Sequence, residues 1–121
     1  MIDIRKLIQA ELKAVHSKVY YQVAPETAVF PYVVYDMPNT YDDGEALQTI
    51  VLDVDGWDDE ENTTALETLM TNVNDRLNKK VLRGSDFAIA LYLENKLTLI
   101  DDDPRIRRRK YTYQGRKIGR S

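Results

Sequence analysis

The sequence predicts a single α+β domain in which an antiparallel sheet of about four to five strands carries two helices on one face, in the order α-β-β-β-α-β-β. Two segments repeat apolar residues at helical spacing, several others alternate with period two or are β-branched and aromatic, and the turns between them are short. With 121 residues, 43% hydrophobic and 31% charged, the chain has material for one modest core and not for two.

The first helix runs from Ile2 to about His16. Ile4, Leu7, Ile8, Leu12 and Val15 form its apolar stripe, with Arg5, Lys6, Gln9 and Lys13 opposite. Lys18 to Val23 is a β-prone run that stops at Ala24-Pro25 and reads as a short strand. The second strand spans Phe30 to Met37, bracketed by Pro31 and Pro38, neither of which can donate to a ladder. Asn39 to Gly44 is polar and ends in Asp-Gly, so it is expected to be a mobile hairpin loop able to reach a neighbour. Leu47 to Trp57 alternates as a strand with one buried and one wet face.

A second helix is expected from about Glu61 to Asn78, on the stripe Leu66, Leu69, Met70, Val73 and Leu77, with Asp58 or Thr64 as its cap. After Arg83-Gly84-Ser85-Asp86, a core strand covers Phe87 to Leu93 and extends or restarts through Leu97 to Ile100. Asp101-Asp102-Asp103-Pro104 breaks the chain. Arg105 to about Gln114 alternates weakly and reads as a final edge strand that runs into a basic tail, the two together covering residues 105–121.

Charge divides the chain unevenly. Residues 1–104 hold all 20 acids and nine of the 17 Lys and Arg residues; residues 105–121 hold the other eight and no acid. An acidic body with a basic end favours head-to-tail contacts between copies or an anionic partner. The basic end suits an acidic protein surface, a nucleic acid or a solvated edge; the body's negative charge makes protein docking the preferred reading. Candidate interface residues are therefore Tyr41, Asp42 and Asp43 in the loop, and Arg105, Arg107, Arg108, Arg109, Lys110, Arg116 and Lys117 at the basic end.

Catalysis finds little to work with. Cysteine is absent and His16 is the one histidine, at a helix end, where the dipole accounts for it. A calcium loop around Val51 to Gly56 fails, because Val51 and Asn62 would stand at the first and twelfth ligand positions. Asp58-Asp59-Glu60-Glu61 reads as a solvated helix start. The expectation is a binding protein with no catalytic, metal or cofactor site, made in a reducing cytoplasm, with neither a secretory leader nor a membrane span.

Phe30-Pro31-Tyr32-Val33-Val34-Tyr35, then Val51-Leu52-Asp53-Val54-Asp55-Gly56-Trp57 and the helix after it, resemble the phage tail completion family, also described as tail terminator or tail-to-head joining proteins of siphophages. The resemblance covers most of the chain through the order and spacing of these elements, although the basic end matches no family motif. It implies a structural virion protein that closes the head-proximal end of the tail tube as a ring, usually of six copies, and meets the head connector or stopper. Implied partners are further copies of the chain, the major tail tube protein and the connector, with DNA passing through the ring without sequence-specific binding. Implied localisation is the head-tail interface of a virion assembled in the host cytoplasm. The alternatives are a head-side connector or stopper subunit, or a nucleic-acid-binding accessory protein using the basic segment.

Overall fold

The structure is a computed structural model that describes residues 2–42 and 47–119. Its elements are α1 (Ile2–Val15), β1 (Val19–Tyr21), β2 (Tyr32–Asp42), β3 (Leu47–Asp58), α2 (Thr64–Leu77), β4 (Lys80–Arg83), β5 (Phe87–Ile100) and β6 (Arg107–Gly119). The strands form one six-stranded sheet in the order β1-β2-β3-β6-β5-β4. Both helices lie on one side of it, as expected.

The apolar stripes meet in one continuous core. Ile4, Ile8 and Leu12 of α1 and Leu66, Met70, Val73 and Leu77 of α2 are almost wholly buried, against Val33 and Tyr35 of β2, Ile50, Leu52 and Val54 of β3, Ile89 and Leu91 of β5 and Tyr113 of β6. Period-two alternation sends these strand residues to the helices and their neighbours to the open face. Tyr35 donates from its hydroxyl to Gln9 Oε1 of α1 at 2.5 Å, and Tyr113 to Asn74 Oδ1 of α2 at 2.9 Å. Each phenol thus buries its ring and still satisfies its hydroxyl. Gly56 gives α2 its close approach: a Cβ there would lie 2.6 Å from Met70 Sδ and 3.0 Å from Leu66 Cδ1. At Gly119, φ is +103°, a conformation that favours glycine.

Five expectations are corrected. The sheet has six strands, not four or five; Lys80–Arg83, a turn-side run after the helix by its composition, pairs with Ala88–Leu91. The sheet is not wholly antiparallel, since β1 runs parallel to β2. Residues 22–31 explain this: a connection of that length carries the chain back to the start of β2 instead of turning it tightly. Asn39, Thr40, Tyr41 and Asp42 are not a loop but the end of β2, paired with Val51, Ile50, Thr49 and Gln48; Asp43 and Gly44 lie outside the described residues. The helix cap is different too. Thr63 occupies the cap position without a side-chain bond, while Asn62 Oδ1 accepts from the Thr64 backbone nitrogen and hydroxyl.

The fifth correction matters most for function. The basic strand β6 is central, pairing along its length with β3 on one side and β5 on the other. An interior strand can hold charged side chains when the neighbouring strand offers the opposite charge on the same face, and β3 does so diagonally, with Asp55 for Arg108 and Asp53 for Lys110.

Candidate functional site

The face of the sheet turned away from the helices carries Arg108, Lys110 and Arg116 of the predicted interface residues. Register puts Trp57 opposite Arg108, Asp55 opposite Lys110 and Asp53 opposite Thr112. Arg108 Nε and Nη2 both donate to Asp55 Oδ2, the former at 3.0 Å. Lys110 Nζ lies 4.0 Å from Asp53 Oδ2, and the Thr112 hydroxyl donates to Asp53 Oδ1 at 2.8 Å. Arg108 and Lys110 are thus matched to acids across the strand pair, so part of the positive charge of residues 105–121 is neutralised within the chain.

Two further arginines of the basic segment pair with acids. Arg109 points to the helix side and pairs with Glu67 in the first turn of α2. Arg105 binds Asp103 through Nε and Nη2 at 3.0 and 2.8 Å, and its guanidinium holds the Asp103 carboxyl down at about 2. Arg107 donates to the Pro104 carbonyl at 2.6 Å. Lys117 is buried, 3% exposed, with Nζ 3.3 Å from the Gly119 carbonyl oxygen and over the Phe87 ring. Arg116 is exposed. Of the expected interface set, then, Arg108, Lys110 and Arg116 share the open face by register, Arg109 and Lys117 face the helices, and Tyr41 and Asp42 belong to the β2–β3 hairpin. Asp43 is outside the described residues.

The open face also carries an aromatic row; the eight tyrosines point to a half-wet face, but the row's assembly around Trp57 is not readable from sequence. Phe30, Tyr32 and Trp57 stack with ring centroids 5.2 and 6.1 Å apart, Tyr20 meets Tyr32 edge-on at 6.1 Å, and the Arg108 guanidinium lies 4.5 Å from the Trp57 centroid. The signal was present: Tyr20, Tyr32 and Trp57 sit on strands, but their convergence depends on β1, β2 and β3 being neighbours. Burial raises the Tyr32 hydroxyl pKa, with the nearby Asp101 charge adding to it.

Two buried polar atoms of this face have no hydrogen-bond partner among the described residues: Asp55 Oδ1 and Trp57 Nε1. Because both Arg108 nitrogens engage Oδ2, the other carboxylate oxygen is left bare. Desolvation raises the Asp55 pKa, opposed by the hydrogen bond and charge of Arg108. The cleft over Asp36, Asp53, Asp55, Arg108 and Lys110 holds about 180 Å³. That is below the roughly 300–1,000 Å³ of small-molecule pockets. Among the described residues no group of three or more His, Asp or Glu residues is placed to hold a metal ion, and no helix is long and apolar enough to cross a membrane. His16 is tied to the fold, its Nε2 donating to the Pro31 carbonyl at 2.8 Å. The arrangement is suited to recognition by a surface.

No family model matches the sequence, and no curated protein matches it. Among solved structures, the chain is similar to one from the "virion of native gene transfer agent (GTA) particle", with a TM-score of 0.79 and 17% identity, over 97% of this chain and 96% of that one. At that identity the likeness establishes a common fold running through nearly the whole of both chains.

Proposed function

We propose that this protein is a structural virion component that closes the head-proximal end of a phage tail tube as a ring, most simply of six copies, and joins the tail to the head connector. The observation that carries the reading is the end-to-end fold agreement with a chain of a virion particle. The tail-completion pattern at Phe30–Tyr35 and Val51–Trp57 supports the narrower reading, and within it Tyr32–Tyr35 of β2 pair with Val54–Trp57 of β3. The mechanism is stoichiometric. Subunits occupy the last interface of the tube, stop further addition, and offer the head a different surface. Its partners on this reading are other copies of itself, the tail tube protein and the connector, with DNA passing through the ring.

The nucleic-acid-binding alternative loses its main support, since Arg105, Arg108, Arg109 and Lys110 have carboxylate partners within the chain. Deleting the gene in a producing phage tests the proposal. The expected result is DNA-filled heads beside separate tails, some with tubes of irregular length. Normal virions would refute it, and empty heads would move the protein to the head-stopper side.

A further inference from the structure

We infer that copies of this chain join by a stepped β-strand lap, in which the free half of β2 in one copy pairs antiparallel with the free half of β5 in the next. The inference deepens the ring-assembly reading and rests on it.

Each outer strand of the sheet is short and covers only one end of its long neighbour. β1 pairs with Val33–Tyr35, leaving Asn39–Asp42 of β2 paired only with β3 among the described residues. β4 pairs with Ala88–Leu91, leaving Asn95–Ile100 of β5 paired only with β6 among the described residues. Rows running across β2, β3, β6 and β5 show where these halves lie. Thr40, Ile50, Gly115 and Leu91 share one row; Val33, Gly56, Arg109 and Thr98 share another. The free half of β2 is thus level with the part of β5 that β4 covers. The free half of β5 is level with the part of β2 that β1 covers. The two edges are complementary steps at opposite ends of the sheet.

Strand direction fits as well. β2 and β5 are separated by two intervening antiparallel strands, so they run in opposite directions within one chain. A second copy brought alongside by translation, without inversion, meets β5 with an antiparallel β2 and keeps its helices on the same side. Side-chain alternation then allows only even shifts, because an odd one would exchange the two faces. A shift of four rows would drive β1 against the end of β5. A shift of six rows, about 20 Å at roughly 3.4 Å per residue, clears it.

At that register, Asp42 of the neighbour stands opposite Lys96, Tyr41 opposite Leu97, Thr40 opposite Thr98 and Asn39 opposite Leu99. An acid meets a base and a threonine meets a threonine, both favourable cross-strand pairs. Pro38, which cannot donate, falls at the end of the ladder, opposite Ile100. The joint also covers apolar side chains that the isolated chain leaves out: Leu97 is 39% and Ile100 94% exposed. A joint between two different edges is heterologous and repeats, and it gives a ring where the sheet's accumulated twist brings the last copy back to the first.

The chain has no cysteine, so an engineered pair reports cleanly. The double variant Thr40→Cys, Thr98→Cys changes two exposed residues and places thiols within disulfide range across an antiparallel pair. Under mild oxidation it should give a reducible ladder of dimers and higher multimers. The pair Thr40→Cys, Leu97→Cys, one row off and on the opposite face, should cross-link at least tenfold more slowly. The variants Asp42→Lys and Lys96→Asp should each weaken association about threefold, and the combination should restore it. Electron microscopy of the same samples separates the two levels of argument. Rings that form without the Thr40–Thr98 cross-link overturn the lap joint while leaving the virion reading standing. A chain that stays monomeric at every concentration, or rapid dimerisation of Leu97→Cys alone through an isologous β5–β5 pair, also overturns the joint. Normal virions after gene deletion would instead overturn the virion reading.

Discussion

Replacing Arg108 with methionine should destabilise the protein in a pH-dependent way. Arg108 is the partner of a carboxylate that is 8% exposed, and both of its bonding nitrogens converge on one oxygen. Without the guanidinium, Asp55 becomes a buried charge with an unsatisfied atom on each side. Breaking a buried pair on one side costs about 3–5 kcal/mol. The lower end applies, because the Arg108 side chain is itself 27% exposed. Loss of the stacking on Trp57 adds roughly 0.5–1 kcal/mol. The net effect, about 3.5–4 kcal/mol, is a large part of the roughly 5–15 kcal/mol that holds a domain together.

The sign with pH follows from Asp55. Its folded pKa is raised by burial above the usual 3.8, so its protonated form favours the native state. That contribution is full below the unfolded value and is lost as pH rises through the folded one. Removing Arg108 takes away the two influences that lower the pKa most. The deficit of Arg108→Met should therefore be largest near neutral pH and shrink on acidification. Adding Asp55→Asn to Arg108→Met should recover most of the loss, since a neutral amide has no charge to bury. Urea unfolding of parent, single and double variants between about pH 5 and pH 8 measures all of this. A deficit under about 0.5 kcal/mol, or one that grows on acidification, would refute the account.

Truncation after Pro104 should abolish cooperative unfolding and most of the far-ultraviolet dichroism, because it removes the strand that links β3 to β5 along with buried Tyr111 and Tyr113. A folded truncated chain would show that β6 is dispensable. Alkaline titration should show delayed phenolate formation: burial pushes Tyr35 up to about 12 and raises Tyr113, Tyr111 and Tyr32 as well. These raised values mean that stability is intact below the ordinary tyrosine value of 10.0 and falls as pH climbs beyond it. Absorbance near 295 nm that rises with eight equivalent phenols at the unperturbed value would contradict this.

The helices were legible because their evidence is local. Ile4, Ile8 and Leu12, and Leu66, Met70, Val73 and Leu77, advertise a buried stripe through spacing alone, and they pack as that spacing requires. The strand cores Val33–Tyr35, Ile50–Val54 and Phe87–Leu91 were readable for the same reason. Charge was readable as a quantity but not as an arrangement. Arg108 and Asp55 stand 53 positions apart in the chain and Arg109 and Glu67 42 apart, so no window reveals that they meet. By composition alone, a strand rich in arginine therefore reads as an exposed edge.

Asn39–Asp42 failed for a related reason. Its turn-prone composition is outweighed by pairing with Gln48–Val51, whose ladder begins in the apolar part of the hairpin and is extended from there. The amino-acid order was sufficient for the two amphipathic helices, the one-sided sheet and the poverty of catalytic groups, because these depend on residue types and short periods. The central place of β6, its neutralisation by β3 and the stepped edges at β1 and β4 emerged only once strands distant in sequence became neighbours. Which strand pairs with which is decided by the burial and charge matching of whole faces, a property that no single segment contains.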